Sequence, residues 1–390
     1  MRKAQFFLGC IGGAVAGYAA FRAFETLKLR HTWRNGASAD AAGYNRVRRA
    51  IAVSGVLRST AGAAAFAFSP AAELFERLAH PLPRWARPAA YLAGLTLVSS
   101  VVDLPIALSE DYAVERRYGL TEQRLDGFLS DYLKSTALAV PISGLIGGLG
   151  AAALRRFPRS WPLLCAAGVF PLLLLSSLIA PVYIMPLFNR FEPLDGPLEP
   201  RLRALASRFG VGNAEILRMD MSRQTKKANA FVTGLGSTHR IVLGDTLVDR
   251  FTIGEVEFVV AHELGHYVTK DTWRFIGVSQ LFASIAIGAA ALAVARDEST
   301  ESVRALRAFA VVTLCFQLGR PLLLAISRSR EWAADRFAVE ATHDPAAGAD
   351  AFARLRDQNL AEDDVPGWYE FFFSSHPSLG KRISALRDAT

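Results

Sequence analysis

The residues best placed to do chemistry together lie at 261–267, Ala-His-Glu-Leu-Gly-His-Tyr. His262 and His266 are four apart, so on a helix they share one face and can grip a single metal ion. Glu263, between them, is placed to take a proton from a water that the ion has made acidic. This is the H-E-x-x-H pattern of zinc sites that hydrolyse peptide bonds. No proline interrupts Gly254 to Val268, and the run from Glu255 to Val260 predicts that a helix carries the motif. The competing explanation is a chance match. With seven histidines in 390 residues, that would arise on the order of once in a hundred such chains.

A hydrolytic zinc site takes three protein ligands and leaves a position for water. The third ligand must be a His, Asp or Glu from elsewhere. The best candidate is Glu331, in the run Ser327-Arg328-Ser329-Arg330-Glu331-Trp332-Ala333-Ala334-Asp335. Asp335 is one turn further on and suits an acceptor that holds a ligand histidine by its other ring nitrogen. Without the histidine pair, Glu331 and Asp335 would read as surface charges near lipid headgroups. The oxyanion that develops during peptide hydrolysis needs a donor. His376, in Ser374-Ser375-His376-Pro377-Ser378, is the candidate, with Arg382 beside it. Alone, a histidine before proline reads as a surface residue. Here it follows Phe371-Phe372-Phe373, where donors are few. One zinc ion per chain would polarise the scissile carbonyl, while Glu263 takes a proton from water and passes it to the leaving amine.

The elements that must position these groups are mostly membrane helices. The chain is 51% hydrophobic and its mean hydropathy is +0.22, too apolar for an ordinary soluble domain of this size. Net charge is +8. Arginines cluster at the ends of apolar runs, which fits anionic lipid headgroups. There is no helix-turn-helix, RNP or zinc-finger spacing, so a nucleic-acid partner is not expected. Cys10, Cys165 and Cys315 all sit in apolar runs, are odd in number and read as buried thiols.

About seven apolar runs have the roughly 20 residues a bilayer crossing requires. They are Phe6–Phe24, 50–72, Pro88–Leu108, Leu133–Leu154, Trp161 to about Met185, Phe275–Ala295 and Leu306–Ser327. Gly9, Gly13 and Gly17 in the first, and Gly144 and Gly148 in the fourth, are small-residue stripes for close helix packing. Residues 25–50 read as a basic loop and 109–132 as a charged interfacial helix. The expected organisation has four parts: a five-helix transmembrane region at 1–185, a small α+β peptidase domain at 186–271, helices six and seven at 272–328, and a helical segment at 329–390. That last segment supplies the third ligand and closes the site. In the peptidase domain, Pro200–Phe209 reads as an amphipathic helix, and Ile216–Met219, Asn229–Thr233 and Arg240–Leu243 as strands. The fold class is therefore mainly α, a polytopic membrane protein with a small α+β zinc-peptidase domain at one membrane face. The excess of Lys and Arg in the loops at 25–50 and 109–132 points to a cytoplasmic active site, in a bacterial inner membrane or the endoplasmic reticulum. No repeat or coiled coil is present, and the sequence specifies no oligomeric state.

The chain resembles the type I CAAX prenyl protease family, integral-membrane zinc metallopeptidases. The resemblance rests on H-E-x-x-H and on Pro181-Val182-Tyr183-Ile184-Met185-Pro186-Leu187-Phe188-Asn189-Arg190-Phe191. It also rests on Asn229-Ala230, on Arg240-Ile241-Val242-Leu243-Gly244-Asp245-Thr246-Leu247, on Ser327 to Asp335, and on Ser375-His376-Pro377 with Arg382. It implies His262, His266 and Glu331 as zinc ligands and Glu263 as base. It implies that Asn229-Ala230 lies on an edge strand that pairs with the substrate backbone, as open edges can. It further implies a large chamber among the membrane helices, with Arg58, Asp103, Gln317 and Arg320 as chamber or helix-packing groups. The substrate would be a peptide or protein cut near its C-terminus, prenylated or otherwise hydrophobic. One departure is Ser378, where the family often has a second proline. Arginine greatly outnumbers lysine and alanine is abundant, as in GC-rich, often bacterial, genomes, where prenylated CAAX proteins are not expected. Two alternatives are a membrane quality-control zinc protease and a non-enzymatic membrane protein with a structural metal site.

Overall fold

The computed structural model describes residues 40–78, 82–83, 85–234 and 238–389. The expected first span, Phe6–Phe24, with its glycine stripe and Cys10, lies outside the described residues. Six described helices are long and apolar enough to cross a membrane. The first, α1 (Ala41–Phe68), begins inside the segment expected to be a basic loop. Its added turns carry Arg48 and Arg49, which pair with Asp111 and Glu362 respectively. After the short α2 (Ala71–Leu78), α3 (Arg87–Ala107) continues through a π-helical turn to Arg117. The charged segment after Leu108 is thus an extension of α3 and then a turn, and α4 (Leu125–Arg156) begins directly after it. Glycines set the α3–α4 packing. A Cβ on Gly147 would lie 2.6 Å from Leu92, and one on Gly144 3.2 Å from Ala93, so larger residues would force the helices apart. The next helix, α5 (Trp161–Ile179), runs on to Leu187. None of its most apolar stretch is buried within the protein, as expected for a helix facing lipid.

The polar domain begins with β1 (Phe191–Pro193) and α6 (Leu198–Arg208). Strands β2 (Glu215–Met219), β3 (Ala230–Thr233) and β4 (Arg240–Gly244) complete a sheet of order β1-β2-β4-β3. β1 was not expected. It is only three residues long and exists through its antiparallel pairing with β2. β2 runs parallel to β4, and β3 antiparallel to it. β3 is therefore an edge strand, with no strand on its other side among the described residues.

The domain core joins Leu202, Leu243, Leu247, Phe258, Val260 and Leu264, all fully buried. After a one-turn helix at Asp245–Val248, four longer helices follow the sheet: α7 (Ile253–Val268), α8 (Asp271–Ala293), α9 (Glu301–Thr342) and α10 (Pro345–Gln358). Two short ones, α11 (Gly367–Phe373) and α12 (Leu379–Arg387), end the chain. α9 has 42 residues, about 63 Å of helix against a hydrocarbon core of about 30 Å. The seventh span and the segment bearing Glu331 are thus one continuous rod, which carries a carboxylate out of the apolar region into the polar domain.

Between α1, α3, α4 and α9 lies a cavity of about 650 Å³, with Arg58, Asp103 and Glu110 among its lining. Arg58 pairs with Glu110 at 3.2 Å. Gln317 bonds Ser59, and Arg320 stacks on Phe373. Cys165 and Cys315 are free thiols.

Candidate metal centre

α7 starts where its sequence says it should. Thr252 accepts a hydrogen bond from the Glu255 N–H, and the Glu255 carboxylate accepts from the Thr252 N–H, a reciprocal capping box. The helix is apolar on nearly every side and runs through the domain core. It is also close to α9, and Gly265 makes that possible. A Cβ there would meet the Ala334 backbone and the Phe337 side chain at 3.1 Å.

This approach brings the two halves of the site together. Donor atoms of His262, His266 and Glu331 lie within 4.8 Å of one another. His262 Nε2 is 3.3 Å from Glu331 Oε2, and His266 Nε2 is 3.4 Å from Glu331 Oε1. Glu331 is 4% exposed, and its Oε2 makes no hydrogen bond. Oε2 has His262 Nε2 at 3.3 Å and the Arg382 guanidinium at 3.4 Å, neither as a hydrogen bond, and a buried carboxylate oxygen left so poorly satisfied is costly unless a cation joins it. Two nitrogens and one carboxylate are also the donor set of a hydrolytic zinc site. The residues therefore fit a metal ion.

Each imidazole is held from behind. His262 Nδ1 lies 2.9 Å from Asp335 Oδ1. Asp335 in turn accepts from Arg382 Nε at 2.8 Å and Nη2 at 2.6 Å. Arg382 is fully buried and its guanidinium lies 4.1 Å over the Phe352 ring. The sequence suggested Arg382 as a donor beside His376; the structure commits it to Asp335 and places its Nη1 3.4 Å from Glu331. His376 reaches the site from the loop after α11. Its Nε2 is 3.3 Å from Glu331 Oε1, while its side chain remains 60% exposed. Ser378, the departure from the family pattern, is buried at the start of α12 with no partner for its hydroxyl. Nothing else in the structure explains the substitution.

Sequence reasoning missed Asp271. Its Oδ2 lies 2.9 Å from His266 Nδ1, and its Oδ1 accepts from Arg330 Nε at 2.6 Å. The only signal was an acidic residue five positions after His266, outside the helical period.

Glu263 shares α7 with both histidines. Desolvation raises its carboxyl above the ordinary glutamate value; the charges of His262 and His266 oppose this. β3 packs against α7 and carries Ala230, with Asn229 exposed just before it. The Gly244 N–H donates to the Asn229 carbonyl at 2.9 Å. An antiparallel ladder alternates, so the main-chain groups of Ala230 and Val232 face away from β4, toward the open edge.

Residues 194–390 match the family model for peptidase family M48. Residues 43–190 match that for the CAAX prenyl protease N-terminal region, described as five membrane helices. The chain belongs to peptidase family M48, in its CAAX prenyl protease branch. Among curated relatives, CAAX prenyl protease 1 of Saccharomyces cerevisiae is 30% identical over 334 residues, covering 79% of this chain and 73% of that one. The uncharacterized metalloprotease YhfN of Bacillus subtilis is 28% identical, covering 77% and 73%. The crystal structure of S. mikatae Ste24p superposes with a TM-score of 0.73 at 27% identity, over 80% of each chain. This M48 member is therefore a multi-pass membrane metallopeptidase, mainly helical with a small sheet.

Proposed function

We propose that this M48 member is a zinc endopeptidase that cuts near the C-terminus of prenylated or similarly hydrophobic peptides, with its site on the cytoplasmic face. The observation that carries the reading is the convergence of His262, His266 and Glu331 donor atoms within 4.8 Å. The name of the yeast relative, CAAX prenyl protease 1, supports the substrate class.

His262 and His266 from α7 and Glu331 from α9 would hold the ion. Zinc bound there supplies a Lewis acid and lowers the pKa of a water. Glu263 would act as general base and acid, taking a proton from the attacking water and handing it to the leaving amine. Its upward-shifted carboxyl favours holding the proton between the two steps. His376 donates from Nε2 toward the developing oxyanion, and its exposure leaves it facing the substrate side. The outward main-chain groups of Ala230 and Val232 pair with an extended substrate and bring its scissile bond over α7. Arg382 and Asp335 fix His262.

The test incubates the purified protein with a farnesylated CAAX peptide and its unprenylated counterpart, with and without chelator, and reads products by mass spectrometry. Chelator-sensitive cleavage of the farnesylated peptide near its C-terminus is expected. Equal cleavage of both would shift the reading toward quality control. Cleavage indifferent to chelator would end the metal mechanism.

A further inference from the structure

The two imidazoles are braced in parallel ways, only one of which the sequence suggests. Behind His262 stand Asp335 and then Arg382. Behind His266 stand Asp271 and then Arg330. Asp271, 2% exposed, is as buried as Asp335, while Arg330 is 18% exposed where Arg382 is 6%. The second brace is also placed differently. Asp271 is the first residue of α8, a membrane helix, and Arg330 adjoins Glu331 on α9. The chain reverses between α7 and α8 at Lys270, whose φ of 58° lies in the left-handed region. That reversal turns Asp271 back against His266. The links His266–Asp271 and Asp271–Arg330 thus close a circuit from α7 through α8 to the residue beside Glu331.

An acidic residue in the first turn of a helix often only answers the helix dipole. Asp271 does more. One carboxylate oxygen faces His266 Nδ1 and the other takes the Arg330 N–H, while Arg274 lies further off at 3.9 Å. A carboxylate at Nδ1 keeps the proton on that nitrogen. It thereby leaves the Nε2 lone pair free on the side where Glu331 stands.

We propose that Asp271 and Arg330 are positioning residues for His266: they fix its tautomer and ring orientation, and metal retention depends on them. This rests on the proposed metal centre. It adds that the centre's geometry is anchored to the first residue of a membrane helix, so that α8 is part of the brace.

The test uses the full chain in detergent. Zinc affinity is measured by competition with a chromophoric chelator, alongside thermal unfolding of the metal-free form. The proteins are wild type, Asp271→Ala, Asp271→Asn, Arg330→Gln and, as a positive control, His266→Ala. Asp271→Ala is expected to bind zinc about 10–100-fold more weakly, the usual loss when a ligand's outer partner is removed. Asp271→Asn should fall between it and wild type, because the amide oxygen still accepts from Nδ1–H but carries no charge. Arg330→Gln should weaken zinc binding without abolishing it. Wild-type zinc affinity in the Asp271 and Arg330 variants, with only the metal-free unfolding temperature lowered, would reduce the pair to a fold contact and overturn the proposal. If Asp271→Ala does not fold, Asp271→Asn and Arg330→Gln decide by the same criterion. A wild-type chain that binds no zinc would remove the metal centre and this proposal with it, an outcome distinct from equal binding by all variants.

Discussion

Arg382 and Asp335 form a two-pronged ion pair sealed from solvent. Nε lies 2.8 Å from Oδ2 and Nη2 2.6 Å from Oδ1, with both side chains 6% exposed. The fork geometry matches a carboxylate as lysine cannot. Breaking such a pair leaves a buried charge uncompensated. Arg382→Ala should therefore cost about 3–5 kcal/mol of stability. It should also loosen His262, which Asp335 holds at 2.9 Å. Thermal unfolding and zinc content check this. Arg382→Lys should fall between Arg382→Ala and wild type. An Arg382→Ala protein with wild-type unfolding and metal content, but slow turnover, would return Arg382 to a direct catalytic role.

Glu263→Gln should keep its metal and lose about 10²–10⁴-fold in kcat/KM. Glu263 acts as a base only when ionised, and desolvation raises its pKa above the ordinary 4.5. Wild-type kcat/KM should thus fall as pH is lowered through that raised value. The residual activity of Glu263→Gln should lack this acid limb. A pH–rate profile of both proteins is the measurement, and an unchanged limb in the variant would assign it to another group.

Metal uptake should release protons. Burial disfavours a charged His262, but hydrogen bonds to Asp335 and Glu331 outweigh it and raise the pKa to about 9 in the metal-free protein. His262 therefore carries a proton at neutral pH that zinc must displace, and apparent zinc affinity should rise with pH until about 9. The same raised value stabilises the metal-free fold below pH 6.5, and that contribution is lost as pH climbs through about 9. Calorimetry in buffers of differing ionisation heat reads the released protons. Binding heats independent of buffer would contradict the shift.

The edge strand gives a paired test. Phe231 points its main chain at β4, whereas Val232 points outward. Phe231→Pro should break the ladder and lower stability, because proline has no N–H to donate. Val232→Pro should leave the fold nearly intact and raise KM for peptide several-fold, since only an outward N–H is lost. Unchanged KM in a folded Val232→Pro would argue that substrate does not add to this edge.

What could be seen in the sequence was what a helix makes periodic. His262 and His266, and likewise Glu331 and Asp335, are four apart, so each pair shares a face whatever the rest of the chain does. The membrane helices announced themselves by length and hydropathy. The contacts between elements left no such trace. Arg382 meets Asp335 across 47 residues of chain. Asp271 meets His266 only because Lys270 takes a left-handed conformation that ends the helical period. The start of α1 was missed because its first turns are polar in sequence and are held by ion pairs and by Tyr44 packing on Val114 and Leu120, contacts between elements that leave no apolar run.

The most direct test is to crystallise the protein with zinc and locate the ion by anomalous scattering at its absorption edge. One peak per chain is expected, about 2.0–2.2 Å from His262 Nε2, His266 Nε2 and a Glu331 oxygen. No peak there, or a peak whose ligands do not include Glu331, would contradict a hydrolytic centre built from α7 and α9.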